Sequence, residues 1–294
     1  MTKKQHNQSY ADAFRHAAED PEGFWANAAQ AIDWFSEPRL AYDEDKGWFS
    51  DGILNTCHNC VDRHVLAGRG DAVALTYDSP ATGAYRSYTY SQLRDETGRV
   101  AAMLASLGVS KGDRVVLFMP MVPETALAML ACARLGAIHS VVFGGFAAPE
   151  LAKRIDDAEP KVILTASCGI EGARVIAYKP LVDEAVELSL HGVEHVVLLQ
   201  REGLAADLGH DRDIDWQELR SRTASDAMPA CLPLASTDPL YILYTSGTTG
   251  TPKGVVRDNG GHAVALSWSL TNIYGISSGD AFWAASDVGW VVGH

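Results

Sequence analysis

The chain has 294 residues, enough for one large or two ordinary domains with a substantial core. Hydrophobic residues make up 47% and charged residues 21%, the balance of a globular protein rather than a disordered one. With 24 basic against 37 acidic residues and a formal net charge of −13, the composition argues against a non-specific nucleic-acid binder and gives no reason for attraction to anionic membranes.

Residues 1–70 read as a helical extension. Ser9 stands where a helix cap belongs, and Tyr10, Phe14, Ala17, Phe24, Trp25, Ala28 and Ile32 recur at helical spacing. Trp25, Trp34, Phe35, Trp48 and Phe49 are expected to pack this extension onto a larger body. Residues 55–66 predict a further helix. From residue 71 to 294 strands alternate with helices. Residues 71–77 and 85–89 predict a hairpin, and Ser91 is expected to cap a helix that Gly108 ends. Strands are predicted at 114–119, 139–143, 161–165, 195–199 and 240–244. Pro123 and Pro149 open helices, the first ending near Gly136, and another helix is predicted at 179–190. Segments 200–213 and 222–238 read as surface loops. This alternation predicts an α/β fold on a parallel sheet covered on both faces.

The five cysteines are too few and too scattered for a disulfide framework, which fits a reducing compartment. The first residues lack the apolar core of a signal peptide, and no apolar run is long enough to span a bilayer, so a cytoplasmic location is expected. Cys57-His58-Asn59-Cys60 has metal-ligand spacing, but no second Cys-x-x-Cys exists to complete a site. It reads as a structural helix start, and no metal centre is expected.

Residues 244–254, YTSGTTGTPKG, carry the strongest chemical signal. An apolar strand feeds a loop of hydroxyls and glycines that closes on Lys253. Glycines let backbone N–H groups turn inward around an anion, hydroxyls add donors, and the lysine adds a point charge. The string is not the Walker pattern, since Gly-Lys-Ser/Thr does not occur in it. Phe143-Gly144-Gly145-Phe146 reads equally as a tight turn or as a place where a ligand approaches the backbone. Glu171-Gly172-Ala173-Arg174 ends on a cation suited to phosphate, although a lone arginine is commonly just solvated. Residues 257–262, RDNGGH, form a loop-to-helix junction in which His262 is either structural or faces a nucleotide. Asp287 to His294 places Trp290, Val291 and Val292 after an expected strand, as core or as the lining of a small apolar pocket.

Together these segments resemble the adenylate-forming superfamily, and within it the short-chain acyl-CoA synthetases that activate acetate and propionate. The resemblance runs from about Tyr10 to His294 and takes in NCVDRH at 59–64, HSVVFGGF at 139–146, the phosphate loop and DVGWVVGH at 287–294. VVRDNGGH at 255–262 looks more like the propionate enzymes. The resemblance implies the N-terminal part of an AMP-binding domain preceded by a helical extension. It implies a two-step ligation: ATP and a carboxylate form an acyl-adenylate, and the thiol of coenzyme A then displaces AMP. Mg2+ would accompany the ATP. By the match, Thr245, Ser246, Gly247, Thr248, Thr249, Gly250 and Lys253 hold the β- and γ-phosphates. Trp290, Val291 and Val292 match the acyl-pocket segment, and valine at 292, where acetate enzymes carry threonine, favours propionate. Gly144, Gly145 and Arg174 match CoA-binding positions; Glu171 replaces a first arginine of that site. The family is about twice as long, and the lid domain with its adenylation lysine lies beyond position 294. An inactive, aggregation-prone fragment is therefore expected. Acetate ligation, transfer to a carrier-protein thiol and a non-catalytic nucleotide-binding remnant are the alternatives.

Overall fold

The computed structural model describes residues 9–223, 228–245 and 253–294. Its centre is a seven-stranded sheet in the order Asp213–Asp215, His195–Leu199, Val162–Ala166, Arg114–Phe118, Ile138–Val141, Pro239–Thr245, Lys253–Asp258. The first six run parallel, as the alternation predicts. Lys253–Asp258 returns antiparallel along Pro239–Thr245, a strand where the sequence predicts only the end of the phosphate loop and the junction at 257–262. Its six residues are nearly all exposed, so it lacks the continuous apolar run that marks a buried strand.

Strand periodicity divides the core in two. Val115 and Leu117 join Val162, Leu164 and Val197 on one face, under the helices α3 (Tyr90–Ser106) and α4 (Pro123–Leu135). Val116 and Phe118 join Ile163 and Val196 on the other, under α5 (Ala148–Ala158) and α6 (Lys179–Leu188). The α3 cap is Thr89 rather than Ser91. The Thr89 hydroxyl accepts from the Gln92 N–H at 3.2 Å, and the Gln92 side chain accepts from the Thr89 N–H at 2.9 Å. That reciprocal box satisfies two orphan amides, which Ser91 alone would not. Gly136 ends α4 at φ 71°, a left-handed conformation that favours glycine. The short helix Trp216–Arg222 and the hairpin of Cys168–Glu171 with Arg174–Ala177 were not foreseen.

In the extension the helical spacing holds: Ser9 caps the helix Tyr10–Glu19, and Pro21–Ala29 follows. Residues predicted as a helix at 55–66 form wider π-helical turns, His58–Asp62 and Val65–Arg69, with Gly68 at φ 77° breaking the second. Ala28, Ile32, Phe49 and Leu54 bury a third apolar cluster against Val264 of the helix Gly260–Asn272, with Trp25 and Trp268 packed beside it. The aromatic extension therefore docks on the body as expected. Among the described residues no helix is long and apolar enough to cross a membrane.

Candidate functional site

Parallel pairing sets the carboxyl ends of six strands along one edge of the sheet. The chain order reverses around Arg114–Phe118: the next strand in sequence lies on one side of it, and the one after crosses to the other. Open α/β sheets bind ligands at such a reversal. Two predicted motifs leave the sheet at this edge, the Gly144-Gly145 turn after Ile138–Val141 and the phosphate loop after Pro239–Thr245.

Thr245 and Lys253 face each other as the outermost pair of the antiparallel ladder, so the loop between them is closed at its base. Ser246, Gly247, Thr248, Thr249 and Gly250 lie outside the described residues. The stem is held from beneath. The Tyr244 phenol donates to Asp157 at 2.5 Å, and burial, then Asp157, push its pKa up, so it stays a neutral donor. The Arg154 guanidinium lies 4.4 Å from the centre of the Phe146 ring and 5.6 Å from that of Tyr244. One buried cation thus spans from the end of the glycine turn to the start of the phosphate loop.

The glycine turn is shaped by packing. A Cβ on Gly144 would overlap the Tyr178 hydroxyl, and one on Gly145 would overlap the Phe143 ring. Gly144 and Gly145 line a cavity of about 280 Å³ with Tyr178, Glu171, Arg201 and Asp287. Burial, then Glu171, push the Tyr178 phenol up to about 12. Burial also raises the Asp287 carboxyl, which accepts from the Gly289 N–H at 2.7 Å. Arg174 does not line this cavity; it sits exposed opposite Glu171 in the hairpin ladder. The cation that does line it is Arg201, fixed by donating to the Cys168 carbonyl at 2.8 Å. Nothing in the polar run around Arg201 marked it, because its placement depends on the unforeseen hairpin.

The three expected acyl-pocket residues do not converge on one cavity. Trp290 packs against Phe143 and Phe146 with ring centroids 5.5 and 6.1 Å apart. Val291 lines a second cavity of about 590 Å³ together with Trp25, Tyr241, His262 and His294. Val292 is 73% exposed. The strand expected before them is absent: residues 277–294 form turns, and no described strand pairs with them. An apolar run becomes a strand only where a ladder partner is available.

The second cavity borders a histidine cluster that the sequence reading missed except for His262. His294 Nδ1 lies 2.9 Å from the Val288 carbonyl, which requires an N–H there and leaves Nε2 as acceptor. His139 Nε2 therefore donates to it at 3.0 Å, and the buried His139 Nδ1 has no partner among the described residues. Burial is the first cause lowering all three imidazoles, His139 well below its ordinary value and His262 to about 4, with His294 repelling both. The cluster is neutral near pH 7.

The family described as AMP-binding enzyme matches residues 62–294, and the acetyl-coenzyme A synthetase N-terminus matches residues 10–60. The chain is 54% identical over 290 residues to uncharacterized protein PA3568 of Pseudomonas aeruginosa, covering 97% of this chain and 46% of that protein. It is 47% identical to the human mitochondrial acyl-CoA synthetase short-chain family member 3, covering 97% and 42%. It is 46% identical to propionate–CoA ligase of Salmonella typhimurium, covering 97% and 46%. Acetoacetyl-CoA synthetase from Streptomyces lividans superposes with a TM-score of 0.86 at 27% identity, covering 97% of this chain and 44% of that one. The chain thus spans somewhat under half the length of the relatives it matches.

Proposed function

The chain belongs to the AMP-binding enzymes, and from that premise we propose that it corresponds to the N-terminal part of an ATP-dependent propionate–CoA ligase. The observation that carries the reading is the Thr245–Lys253 pair, which closes a hydroxyl- and glycine-rich loop at the carboxyl edge of the sheet. In this reading Thr245, Ser246, Gly247, Thr248, Thr249, Gly250 and Lys253 cradle the β- and γ-phosphates. Phosphates and a carboxylate both carry negative charge, so bringing them together demands positioning and local positive potential. Lys253 supplies charge at the mouth, and the Tyr244 phenol, donating to the Asp157 carboxylate, anchors the stem to the helix beneath it.

The oxygen donors fit magnesium arriving with the nucleotide. Thr245 presents an exposed residue at the loop mouth, and Mg2+ takes most of its shell from phosphates and water. When bound, it neutralises part of the triphosphate charge. The 280 Å³ cavity beside Gly144 and Gly145 is the proposed path for coenzyme A, with Arg201 its internal cation and Arg174 an outer one. Residues 1–70 act as the extension and 71–294 as part of the adenylation domain.

Propionate is favoured by the valine at 292, which stands where the acetate enzymes carry threonine and suits one more methylene once that segment, exposed in this chain, is covered, and by the Salmonella ligase among the relatives. One methylene is worth about 1–3 kcal/mol, so the preference over acetate is expected within roughly 10–200-fold. The test is ATP–pyrophosphate exchange by the longest open reading frame carrying this chain, with acetate, propionate and butyrate compared. Exchange strongest with propionate, shifting toward acetate in Val292→Thr, supports the reading. Stronger exchange with acetate in the unaltered protein replaces it with acetate ligation.

A further inference from the structure

The Cys-x-x-Cys segment finds its partner elsewhere in the fold. Cys57 at the head of the π-helical turn, Asp62 at its end and Cys231 in the distant segment 228–233 bring a sulfur, a carboxylate oxygen and a sulfur within 4.8 Å of one another. Cys57 is fully buried, and Cys231 lies above it with partial access to solvent. Asp62 Oδ2 accepts from both thiols, at 3.5 Å from Cys231 and 4.0 Å from Cys57. Cys60, one turn on, is not a member of this group.

The obvious ligand for two thiols and a carboxylate is a soft divalent metal, but the cluster already holds a cation. Arg134 donates to both oxygens of Asp62 at 2.8 and 3.0 Å, and its guanidinium lies 3.6 Å from the Cys57 sulfur. A metal ion here would face that fixed positive charge, and the carboxylate has no free oxygen to offer it. Two thiols side by side, one reachable and one not, suit another reaction.

We propose that Cys57 and Cys231 form a reversible intrachain disulfide under peroxide, which pins the segment before the phosphate-loop strand to the N-terminal extension. The partly exposed Cys231 sulfur attacks a peroxide oxygen, the O–O bond breaks, and sulfenic acid and water result. The Cys57 sulfur then attacks the Cys231 sulfur; the S–O bond breaks, the Cys57 proton leaves with the hydroxyl as water, and the S–S bond forms. Each sulfur gives up one electron, and the peroxide takes two. Contact with Cys231, then burial, holds the Cys57 thiol well above its ordinary pKa, so Cys57 is slow to meet oxidant directly and acts second. The cross-link closes a very long loop at a point where Leu234–Ala235 already pairs with Ile53–Leu54, so it adds to an existing seam.

The experiment exposes the intact chain to a slight excess of hydrogen peroxide, removes the oxidant, alkylates in denaturant, and maps the unreduced digest by mass spectrometry. The expected result is a Cys57–Cys231 linked peptide pair that dithiothreitol releases, with Cys132 and Cys168 alkylated. A rise in Tm of roughly 5 °C should accompany it. Cys231→Ser should leave Cys57 alkylated after the same exposure. A Cys57–Cys60 link, a cross-link between chains, sulfinic acid on Cys231, or both thiols still free would each overturn the proposal. So would one equivalent of zinc retained through dialysis, which would make the cluster a metal site instead.

Discussion

Val162–Ala166 is buried at every residue and laddered on both sides, whereas Lys253–Asp258 is laddered on one side and exposed along nearly its whole length. The two strands belong to one sheet and are built by opposite rules. The central strand is apolar but for Thr165, whose hydroxyl donates to the Phe118 carbonyl at 2.8 Å, because both its faces meet helices; it holds geometry. The edge strand begins on a lysine and follows a loop of small polar residues, so it gives up burial for access. What the contrast teaches is that the sheet's rigidity is made in its middle and used at its rim.

The contrast can be broken at its strong end first. Leu164→Ala in the central strand removes a side chain with 1% exposure and should cost about 2–5 kcal/mol, read as a lowered urea midpoint. At the edge, Lys253→Ala should leave Tm nearly unchanged while lowering pyrophosphate exchange by the longest open reading frame carrying this chain roughly 100-fold, the order seen when one transition-state donor is lost. A large fall in Tm with unchanged exchange would reverse the roles given to the two strands.

Between centre and edge lies the histidine cluster: His139 on Ile138–Val141, His262 on the helix Gly260–Asn272 and His294 in the turns that follow, gathered around Tyr241 of the next strand. Its imidazoles bind protons more weakly in the folded chain than in the unfolded one. As pH falls below 6.5 the unfolded state takes up protons first, so stability drops with pH until the folded groups also protonate, near 4 for His262. The slope is at most about 1.4 kcal/mol per pH unit for each histidine, reduced by whatever solvent reaches it. His262 alone should make stability at pH 7 and 5 differ by about 1–2 kcal/mol, and His262→Asn should remove that share of the gap. The smallest effect belongs to Val256→Ala, which changes a side chain on a residue 55% exposed and should shift stability by less than about 0.5 kcal/mol.

Much of the central sheet was legible because period and punctuation agreed. Pro123 and Gly136 bracket α4 as the sequence predicts, and His195–Leu199 falls where its apolar run placed it. Elements whose residues point mostly to solvent were not legible. Lys253–Asp258 and the Cys168–Ala177 hairpin owe their form to ladder partners that no local pattern announces. The site divides in the same way. Thr245 and Lys253 were readable because the loop string is specific, and the structure brings them face to face. Arg201, Tyr178, His139 and His294 gain their positions from crossovers, and Cys231 meets Cys57 only through the folded seam. Local composition carries no signal for such meetings.

One buried amide has a wider consequence. The Asn55 side chain donates to the carbonyls of Ala133 at 2.9 Å, Arg134 at 3.3 Å and Leu232 at 2.9 Å, joining the extension, the end of α4 and the segment before the phosphate-loop strand. With Asp62 paired to Arg134 and Trp25 against Trp268, the first seventy residues share their stabilising contacts with the body. Their melting cannot be uncoupled from it. Calorimetry should record one cooperative transition, and a chain begun at residue 71 should lose its sharp melt, because the Leu232 carbonyl would lose its Asn55 donor and Arg134 its Asp62 partner.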